Sequence, residues 1–419
     1  MAEYRERVAD TTVRRALTSF GAVVLEGPRA VGKTTTGLRH SASSVRVDAS
    51  PQLADLAETA PSAFLAGAVP RLIDEWQLAP TLWNAVRHEV DHRGEPGQFI
   101  LTGSATPSDD ETRHSGAGRF HRVRLRPMAL AESGESTRSI NLRDVMDGEC
   151  VGAIGGPTVG DYAHLIVRGG WPALVEAPQR SAADYLTSYL DDISRVDLPA
   201  MDVRVDPVRM RALIRALARN IATETSLAKL AREAEIGPAG AATSAQTVRR
   251  HLDALTRVFV VEEVPAWAPH LRSKVRLRVQ PVWHFADPSL AAAALGASGE
   301  GLMADLESFG FFFESLCVRD LRVYAEELGG ELFHYRDETG LEVDAIVELR
   351  DGSWAAFEVK IGGTKAIEVA ARNLSVLEGK VSAERAATLK AKAVLTAGDT
   401  SYLRPDGVMV ISIGHLHVA

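Results

Sequence analysis

A glycine-bracketed turn followed by a lysine and a threonine has the residue types needed to bind the phosphates of a nucleotide. Gly27 and Gly32 bracket four residues, and Lys33 and Thr34 follow directly. Glycine lets backbone N–H groups curl around a phosphate because no Cβ intervenes. Lys33 can reach the β- and γ-phosphates of ATP, and the Thr34 hydroxyl can ligate Mg²⁺. The predicted nucleotide-binding residues are Gly27, Pro28, Arg29, Ala30, Val31, Gly32, Lys33, Thr34 and Thr35.

Two acids at the end of an apolar stretch can complete this chemistry. Arg71–Asp74 reads as a short buried strand, and Glu75 follows it. Asp74 can hold Mg²⁺ and Glu75 can polarise the attacking water. Taken alone, such an ending is commonly a solvated strand end. Because it follows a complete phosphate-loop pattern, we interpret Asp74 as a metal-binding residue and Glu75 as a catalytic residue.

Three further residues are candidates for the same site. Thr102 and Ser104 end another apolar strand, where a hydroxyl can sense the γ-phosphate or orient water, although turn chemistry also explains them. Arg119 follows a glycine-rich segment and is a candidate for an arginine that reads the γ-phosphate, in cis or across a subunit interface. The alternative for Arg119 is the start of a solvated basic strand.

A second group of acids and a lysine lies near the C-terminus. Thirteen residues separate Asp344 from Glu358, and Glu358 and Lys360 share one strand face because side chains alternate. Glu314 can join them from a preceding helix. We predict Glu314, Asp344 and Glu358 as ligands of Mg²⁺, with Mn²⁺ as an alternative, and Asp344, Glu358 and Lys360 as catalytic residues for phosphodiester hydrolysis. The alternative is a set of surface charges, or a face that binds without cleaving.

A third set of residues suggests nucleic-acid contact. A helix, a second helix, a turn and a third helix precede two strands that resemble the wing of a winged helix. The predicted DNA-contacting residues lie on the third helix and the second wing strand: Arg249, Arg250, Lys274, Arg276 and Arg278. Winged helices inside ATPases also serve as packing or protein-contact modules, so that alternative stays open.

The order of strands and helices that would position these residues predicts an α/β protein. Apolar strands alternate with helices in the first part, which indicates a three-layer domain on a parallel sheet with its ligand at the carboxyl ends of the strands. We expect four parts: a phosphate-loop domain over 1–132, a helical connection over 133–204, a winged-helix-like segment over 205–285 and a nuclease-like α/β domain over 286–419.

The composition of the chain is that of a globular protein. The chain has 419 residues, a net charge of −8, 46% hydrophobic residues and 24% charged residues, which is typical of a globular protein and gives no global signal for nucleic acid. Because no apolar run reaches about eighteen residues and the N-terminal stretch is polar, we expect a cytoplasmic protein without membrane contact. Two cysteines, Cys150 and Cys317, support neither a disulfide framework nor a zinc site.

Several motifs together resemble a prokaryotic family of AAA-type ATPases whose C-terminal half is a domain of unknown function. They are Gly27–Thr35, Leu72–Gln77, Leu101–Ala105, Ser115–Arg119 and Leu125–Glu132. The C-terminal order of acids, lysine, helix and strands resembles the PD-(D/E)xK nuclease fold. The resemblance implies ATP binding and hydrolysis, with ATP and Mg²⁺ as cofactors.

These observations lead to two main hypotheses. In the first, an ATPase is coupled to a metal-dependent endonuclease or exonuclease acting on DNA. In the second, an ATP-dependent switch or scaffold binds a protein partner or nucleic acid without cutting it. A third hypothesis, a nucleotide-regulated transcription factor, rests on the winged helix alone. An arginine supplied in trans would require a homo-oligomer.

Overall fold

The computed structural model describes residues 4–103, 116–149, 151–200, 203, 206–234, 244–269 and 280–418. These residues form two compact units. The first contains the described residues of Met1–Arg126, Ala200–Val203 and Ala254–Val260, and the second contains those of Pro127–Pro199, Arg204–Asp253 and Val261–Ala419. The four-part division over 1–132, 133–204, 205–285 and 286–419 stays a prediction beside this coarser one.

The first unit is built on a parallel sheet. Its strands are β1 (Ala22–Glu26), β2 (Ser43–Arg46), β3 (Arg71–Asp74), β4 (Phe99–Gly103) and β5 (Phe120–Arg124). They lie in the order β2-β3-β4-β1-β5, and each neighbouring pair is parallel. All five carboxyl ends therefore meet at one edge of the sheet, as expected for a ligand-binding α/β fold.

Helices accompany both faces of this sheet. They are α1 (Ala9–Leu17), α2 (Lys33–Arg39), α3 (Pro51–Thr59), α4 (Ser62–Leu65) and α5 (Thr81–Arg93). Val13 of α1 is buried in one apolar cluster with Val23, whereas Trp83 of α5 belongs to another with Val24. Successive residues of β1 thus face opposite layers, because side chains alternate along a strand. This arrangement confirms the predicted α/β class with a parallel sheet.

Short strands and helices occupy the middle of the chain. The helices are α6 (Leu130–Ser133), α7 (Leu142–Met146), α8 (Val159–Arg168), α9 (Gln179–Asp192), α10 (Leu198–Ala200), α11 (Pro207–Arg219), α12 (Leu227–Glu233), α13 (Ala245–Arg257), α14 (Pro288–Leu295) and α15 (Gly299–Ala304). The strands are β6 (Ile140–Asn141), β7 (Ala153–Ile154), β8 (Val261–Val264) and β9 (Val282–Phe285).

β8 has a described partner strand, β9, that the sequence pattern did not indicate. β8 is antiparallel to β9, with Val261 opposite Phe285 and Val264 opposite Val282. We expected its partner at Lys274–Val279, a stretch that lies outside the described residues. The basic alternation there suggested a strand, but the pairing that the structure describes uses the apolar residues of β9. The winged-helix interpretation stays a prediction.

A mixed sheet dominates the C-terminal part of the second unit. Its elements are α16 (Leu306–Glu327), β10 (Glu331–Arg336), β11 (Glu342–Glu348), β12 (Trp354–Lys360), α17 (Thr364–Lys380), α18 (Ala383–Ala386), β13 (Leu389–Thr396), β14 (Thr400–Leu403), β15 (Met409–Ser412) and β16 (Leu416–His417). The strand order is β10-β11-β12-β13-β15-β14-β7, while β16 pairs with β6. Strands β12, β13 and β15 are parallel, and β10 to β12 are antiparallel.

A buried arginine ties α16 to the middle of the chain. Arg319 has a side chain that is 3% exposed, and it forms ion pairs of 2.7 Å with Asp287 and 2.6 Å with Asp320. Asp287 also accepts a hydrogen bond from the Gly170 N–H, and Asp320 accepts one from the Leu130 N–H. Since unpaired buried charges are costly, these ion pairs and hydrogen bonds fix how α16 is placed within the second unit.

Candidate functional site

The phosphate-loop residues join the carboxyl end of β1 to α2. Gly27 has φ +151°, and a Cβ placed there would lie 2.0 Å from the Leu125 carbonyl oxygen. Gly32 has φ +96°, and the non-glycine residue Ala30 has φ +62°. The turn therefore depends on glycine at Gly27 and holds backbone conformations that other residues seldom adopt.

The Lys33 side chain is folded back over this loop. Lys33 is 6% exposed, and its Nζ donates hydrogen bonds of 2.9 Å to the Gly27 carbonyl oxygen and 2.7 Å to the Pro28 carbonyl oxygen. Carbonyl oxygens carry only partial negative charge, whereas phosphate oxygens are charged acceptors that bind an ammonium more strongly. The lysine is thus held at the loop by partners that a phosphate can replace.

Asp74 is the last residue of β3, and its side chain connects this strand to α2 and to β4. It is 1% exposed, and its Oδ1 accepts hydrogen bonds from Thr34 Oγ1 at 2.9 Å and from Thr102 Oγ1. No hydrogen-bond donor in the described part of the chain reaches Oδ2, although Arg46 Nε lies 3.5 Å from it. A buried carboxylate oxygen without a hydrogen bond is uncommon, and it suits a cation ligand. The donor set of Thr34 and Asp74 therefore fits Mg²⁺, which prefers oxygen ligands.

Glu75 has a strained backbone beside this carboxylate. Its φ and ψ are +58° and +41°, a left-handed conformation for a residue with a Cβ. Such strain costs about 1–3 kcal/mol and concentrates at functional sites. The Gln77 side chain donates a hydrogen bond of 2.5 Å to Glu75 Oε2, so the predicted catalytic carboxylate has a neutral partner. The sequence interpretation assigned no role to Gln77 or to Arg46.

One predicted nucleotide-site residue, Arg119, is not brought to this edge, and another is not described. Ser104 lies outside the described residues. Arg119 stands at the amino end of β5, where its carbonyl oxygen accepts a hydrogen bond from the Ala22 N–H, and its Nε lies 2.8 Å from Asp91 Oδ1. The phosphate loop follows the other end of β1, so a role for Arg119 in cis does not fit this geometry. Arg119 directly precedes β5. It therefore lies at the amino ends of the parallel strands, whereas the phosphate loop lies at their carboxyl ends.

The C-terminal acids and lysine do meet one another. Lys360 Nζ lies 2.7 Å from Glu358 Oε2 and 3.3 Å from Asp344 Oδ2. Asp344 Oδ2 also accepts a 2.7 Å hydrogen bond from the Val359 N–H, and Asn373 Nδ2 donates a 3.1 Å bond to Glu358 Oε1. We call Asp344, Glu358 and Lys360 the carboxylate–lysine cluster. Asn373, on α17, is a partner that the sequence pattern did not indicate.

Burial and crowding shift the protonation of this cluster. Burial, and then the charge of Asp344, raises the pKa of Glu358 above its ordinary value. The same two causes raise the pKa of Glu314 well above its ordinary value. Burial lowers the pKa of Lys360, but the carboxylates of Asp344 and Glu358 outweigh it and raise that pKa. The cluster is therefore a crowded group of acids around one ammonium.

The predicted metal centre is not assembled by this arrangement. Within the described ranges, no group of three or more histidine, cysteine, aspartate or glutamate side chains could hold a metal ion. The expected ligands were Glu314, Asp344 and Glu358, whereas Lys360 bonds directly to two of these carboxylates. Sequence spacing placed the acids near one another but did not show that an ammonium would bind them. The structure gives no support for Mg²⁺ or Mn²⁺ at this place.

The predicted DNA-contacting residues are described only in part. Arg249 and Arg250 are exposed on α13, and Arg249 Nε lies 3.2 Å from Asp253 Oδ1. Lys274, Arg276 and Arg278 lie outside the described residues. Since surface ion pairs like that of Arg249 contribute little and break easily, DNA contact by Arg249 and Arg250 stays a prediction.

Two other sequence-based expectations concern membranes and cysteines. Among the helices that the structure describes, none is both long and apolar enough to span a bilayer. Cys317 is a free, buried thiol on α16, while Cys150 lies outside the described residues.

Comparison with known families assigns the first part of the chain. Residues 19–133 match the model of the AAA domain family. This region is similar to AAA-type P-loop ATPase domains. Two models of domains of unknown function match beyond this AAA-type domain, DUF8612 over residues 159–301 and DUF4143 over residues 309–416.

Relatives of the whole chain carry no assigned activity in their names. The chain is 27% identical over 375 residues to the uncharacterized protein Rv2008c of Mycobacterium tuberculosis, and equally to the uncharacterized protein Mb2031c of Mycobacterium bovis. Each match covers 88% of this chain and 77% of the relative. Among solved structures, the Walker-type ATPase PABY2304 of Pyrococcus abyssi matches with 13% identity and a TM-score of 0.40, over 68% of this chain and 94% of that one.

Proposed function

We propose that the first unit binds ATP with Mg²⁺ and hydrolyses it. The observation that carries this proposal is the meeting of Lys33, Thr34 and Asp74 at one sheet edge, with one buried Asp74 oxygen lacking a hydrogen bond from the described residues. Lys33 donates here to neutral carbonyl oxygens that a phosphate can replace, and Asp74 has a carboxylate oxygen that a cation can take. A nucleotide phosphate with its metal ion supplies both.

Binding begins at the loop. Lys33 leaves the carbonyl oxygens of Gly27 and Pro28 and donates to the β- and γ-phosphates, while backbone N–H groups of Gly27–Thr35 surround them. Thr34 and Asp74 would hold Mg²⁺, since their side-chain oxygens already lie 2.9 Å apart. The ion, when bound, neutralises charge on the phosphates during transfer.

Hydrolysis needs a base and a sensor of the terminal phosphate. Glu75 accepts the proton of the attacking water, and its left-handed backbone positions the carboxylate directly after β3. Thr102, bonded to Asp74, connects β4 to the metal-binding carboxylate. Ser104 is proposed to lie near the γ-phosphate on sequence grounds alone.

For the second unit, we propose contact with DNA through Arg249 and Arg250, with the carboxylate–lysine cluster as the candidate site of phosphodiester cleavage. The alternative is an ATP-dependent switch or scaffold that binds a protein partner or nucleic acid without cleaving it. The ion pairs of Lys360 with Asp344 and Glu358 favour the alternative, because a catalytic metal would first have to displace that ammonium.

The ATPase is tested by nucleotide binding and phosphate release with wild type and Lys33→Ala. We expect ATP turnover that depends on Mg²⁺ in the wild type and loss of nucleotide binding in Lys33→Ala. The matched control is Lys390→Ala, which removes an exposed lysine of β13 and should turn over ATP like the wild type. Absence of ATP binding by the wild type would end the proposal.

The second unit is tested with linear, circular and single-stranded DNA in Mg²⁺ or Mn²⁺, with and without ATP. Cleavage that disappears in Asp344→Ala would establish a nuclease, and Lys33→Ala would then show whether ATP controls it. DNA binding without cleavage on every substrate would establish the alternative.

A further inference from the structure

Arg46 ends the edge strand β2 next to the two acids of the nucleotide site. In the parallel pairing of β2 with β3, Arg46 lies opposite Asp74. Residues opposite each other in neighbouring strands project to the same face of a sheet. The sheet order therefore brings an arginine to the metal-binding carboxylate, although the two are far apart in sequence.

The contacts of Arg46 are loose and electrostatic. Its Nε lies 3.5 Å from Asp74 Oδ2, while Nε and Nη2 donate hydrogen bonds of 3.3 and 3.1 Å to the carboxylate of Asp48. The side chain is 59% exposed. A long side chain that is mostly in water keeps rotamer freedom, so the guanidinium can leave these partners at little cost.

The charge balance of Asp74 explains what an arginine at this place can do. Oδ1 accepts from the hydroxyls of Thr34 and Thr102, while hydrogen-bond donors of the described ranges leave Oδ2 unbonded. Arg46 is thus a cation placed against the same oxygen set that fits Mg²⁺. Two cations of like charge compete for one carboxylate, so loading the site with metal drives the guanidinium away from Asp74.

We propose that Arg46 is a further catalytic residue of the ATPase: it neutralises Asp74 before nucleotide binds and afterwards donates to the terminal phosphate, stabilising the transition state. This rests on the proposed ATPase function. In the step concerned, the water oxygen bonds to the γ-phosphorus and the bond from that phosphorus to the bridging oxygen breaks. The water proton goes to Glu75, and the electron pair of the broken bond stays with ADP.

Electrostatics around Arg46 agree with this role. The hydrogen bond to Asp48, and behind it the charges of Asp48, Asp74 and Glu75, raise the pKa of Arg46 above its ordinary value. The guanidinium therefore stays charged and faces both acids that serve the nucleotide. Its planar fork suits phosphate oxygens better than a point charge does.

Arg119 and Arg122 of the first unit are less well placed. Arg119 stands at the opposite edge of the sheet in an ion pair with Asp91. Arg122 forms an ion pair with Glu26 and lies over the Trp83 ring at 5.3 Å from its centroid. Arg46 combines a contact to Asp74 with exposure that leaves it able to move.

The test compares wild type with Arg46→Ala, Arg46→Lys and the control Arg14→Ala, an exposed arginine in a 3.6 Å ion pair on α1. Two quantities are measured: ATP turnover, and equilibrium binding of MgADP with and without aluminium fluoride, which imitates the transferring phosphate. For Arg46→Ala we expect turnover to fall about 100-fold, as for loss of one preorganised donor to a transition state. Affinity for MgADP alone should stay within about threefold, because Arg46 contacts no part of the phosphate loop that holds ADP.

Equilibrium binding of MgADP, with and without aluminium fluoride, distinguishes a catalytic role of Arg46 from a structural one. In wild type and Arg14→Ala, aluminium fluoride should tighten MgADP binding, and in Arg46→Ala that gain should disappear. Arg46→Lys should recover part of the gain, because the charge remains without the fork. If wild type turns over ATP while Arg46→Ala keeps both turnover and the gain, the assignment of Arg46 is wrong and the ATPase stands. If wild type neither binds nor hydrolyses ATP, the ATPase proposal fails first.

Discussion

Two sites of this protein combine a lysine with carboxylates at strand ends, and they differ in how the charges are satisfied. At the nucleotide site, Lys33 donates to backbone carbonyl oxygens, while Asp74 accepts from hydroxyl groups. In the carboxylate–lysine cluster, Lys360 bonds directly to Asp344 and Glu358. At the first site, the hydrogen bonds of Lys33 to Gly27 and Pro28 involve neutral oxygens, and the ion pair of Asp74 with Arg46 is loose at 3.5 Å. In the second site, the lysine and both carboxylates are bonded directly to one another.

The comparison shows why residue types alone do not define a ligand site. A site whose lysine donates to carbonyl oxygens and whose acid has a loose, solvent-exposed ion pair gains energy from an anion and a cation together, because these contacts are replaced at little cost. A site with paired charges must lose those pairs before a metal or phosphate can enter. The nucleotide site therefore has the electrostatics of a binding site, and the cluster has those of a closed network.

The largest effect is expected at Glu75. Glu75→Gln keeps the size and the partner Gln77 but removes the base, so turnover of ATP should fall about 1000-fold, within the range for general bases. Nucleotide affinity should persist, as measured by equilibrium binding. Glu58→Gln, at an exposed position of α3, is the control. Unchanged ATP turnover in Glu75→Gln would contradict the assignment of Glu75 as the base of the nucleotide site.

The two lysines should differ in what they contribute to stability. Lys360→Met leaves two carboxylates without their ammonium and should lower the free energy of unfolding at pH 7 by about 3 kcal/mol. Lys33→Met frees backbone carbonyl oxygens instead, and should change that energy by about 1 kcal/mol or less. Denaturant unfolding measures both. Equal losses would show that the two sites do not differ as described.

Gly27 should be sensitive for geometric reasons. Gly27→Ala adds a Cβ that would lie 2.0 Å from the Leu125 carbonyl oxygen and also strains the backbone, so a loss of about 2–3 kcal/mol is expected. Gly94→Ala is the matched control, because its φ of +66° is unfavourable but nothing lies within 4 Å. Its loss should be about 1 kcal/mol. Thermal unfolding that shifts equally in both would rule out the clash.

The smallest effect concerns pH and Glu314. Its raised pKa means that the folded protein holds the proton after the unfolded chain has released it, near the ordinary value of 4.5. The free energy of unfolding therefore falls as pH rises from 4.5 to the raised pKa, and is constant above it. Glu314→Gln should remove this decline and raise the free energy of unfolding at pH values above the raised pKa. A decline that persists in the variant would place its origin elsewhere.

Local patterns predicted the parts of the sites that lie on one segment. The loop from Gly27 to Thr35 and the alternation of Glu358 and Lys360 are contiguous, and each structural consequence follows from neighbours in sequence. The position of Arg46 depends on β2 lying beside β3, and that of Arg119 on which end of β5 it precedes. Sheet order and strand direction are set by packing of the whole unit, so sequence spacing could not decide either residue.

The first unit is discontinuous in sequence, and this has a consequence for its synthesis. Ala254–Val260 belong to the same compact unit as Met1–Arg126, and the guanidinium of Arg124 lies 4.9 Å from the centroid of the Phe259 ring. A ribosome releases the N-terminal segment long before Phe259 is translated. The last segment of the first unit is therefore synthesised after the helices that separate it from Arg126, so the contact of Arg124 with Phe259 forms after most of that unit has left the ribosome.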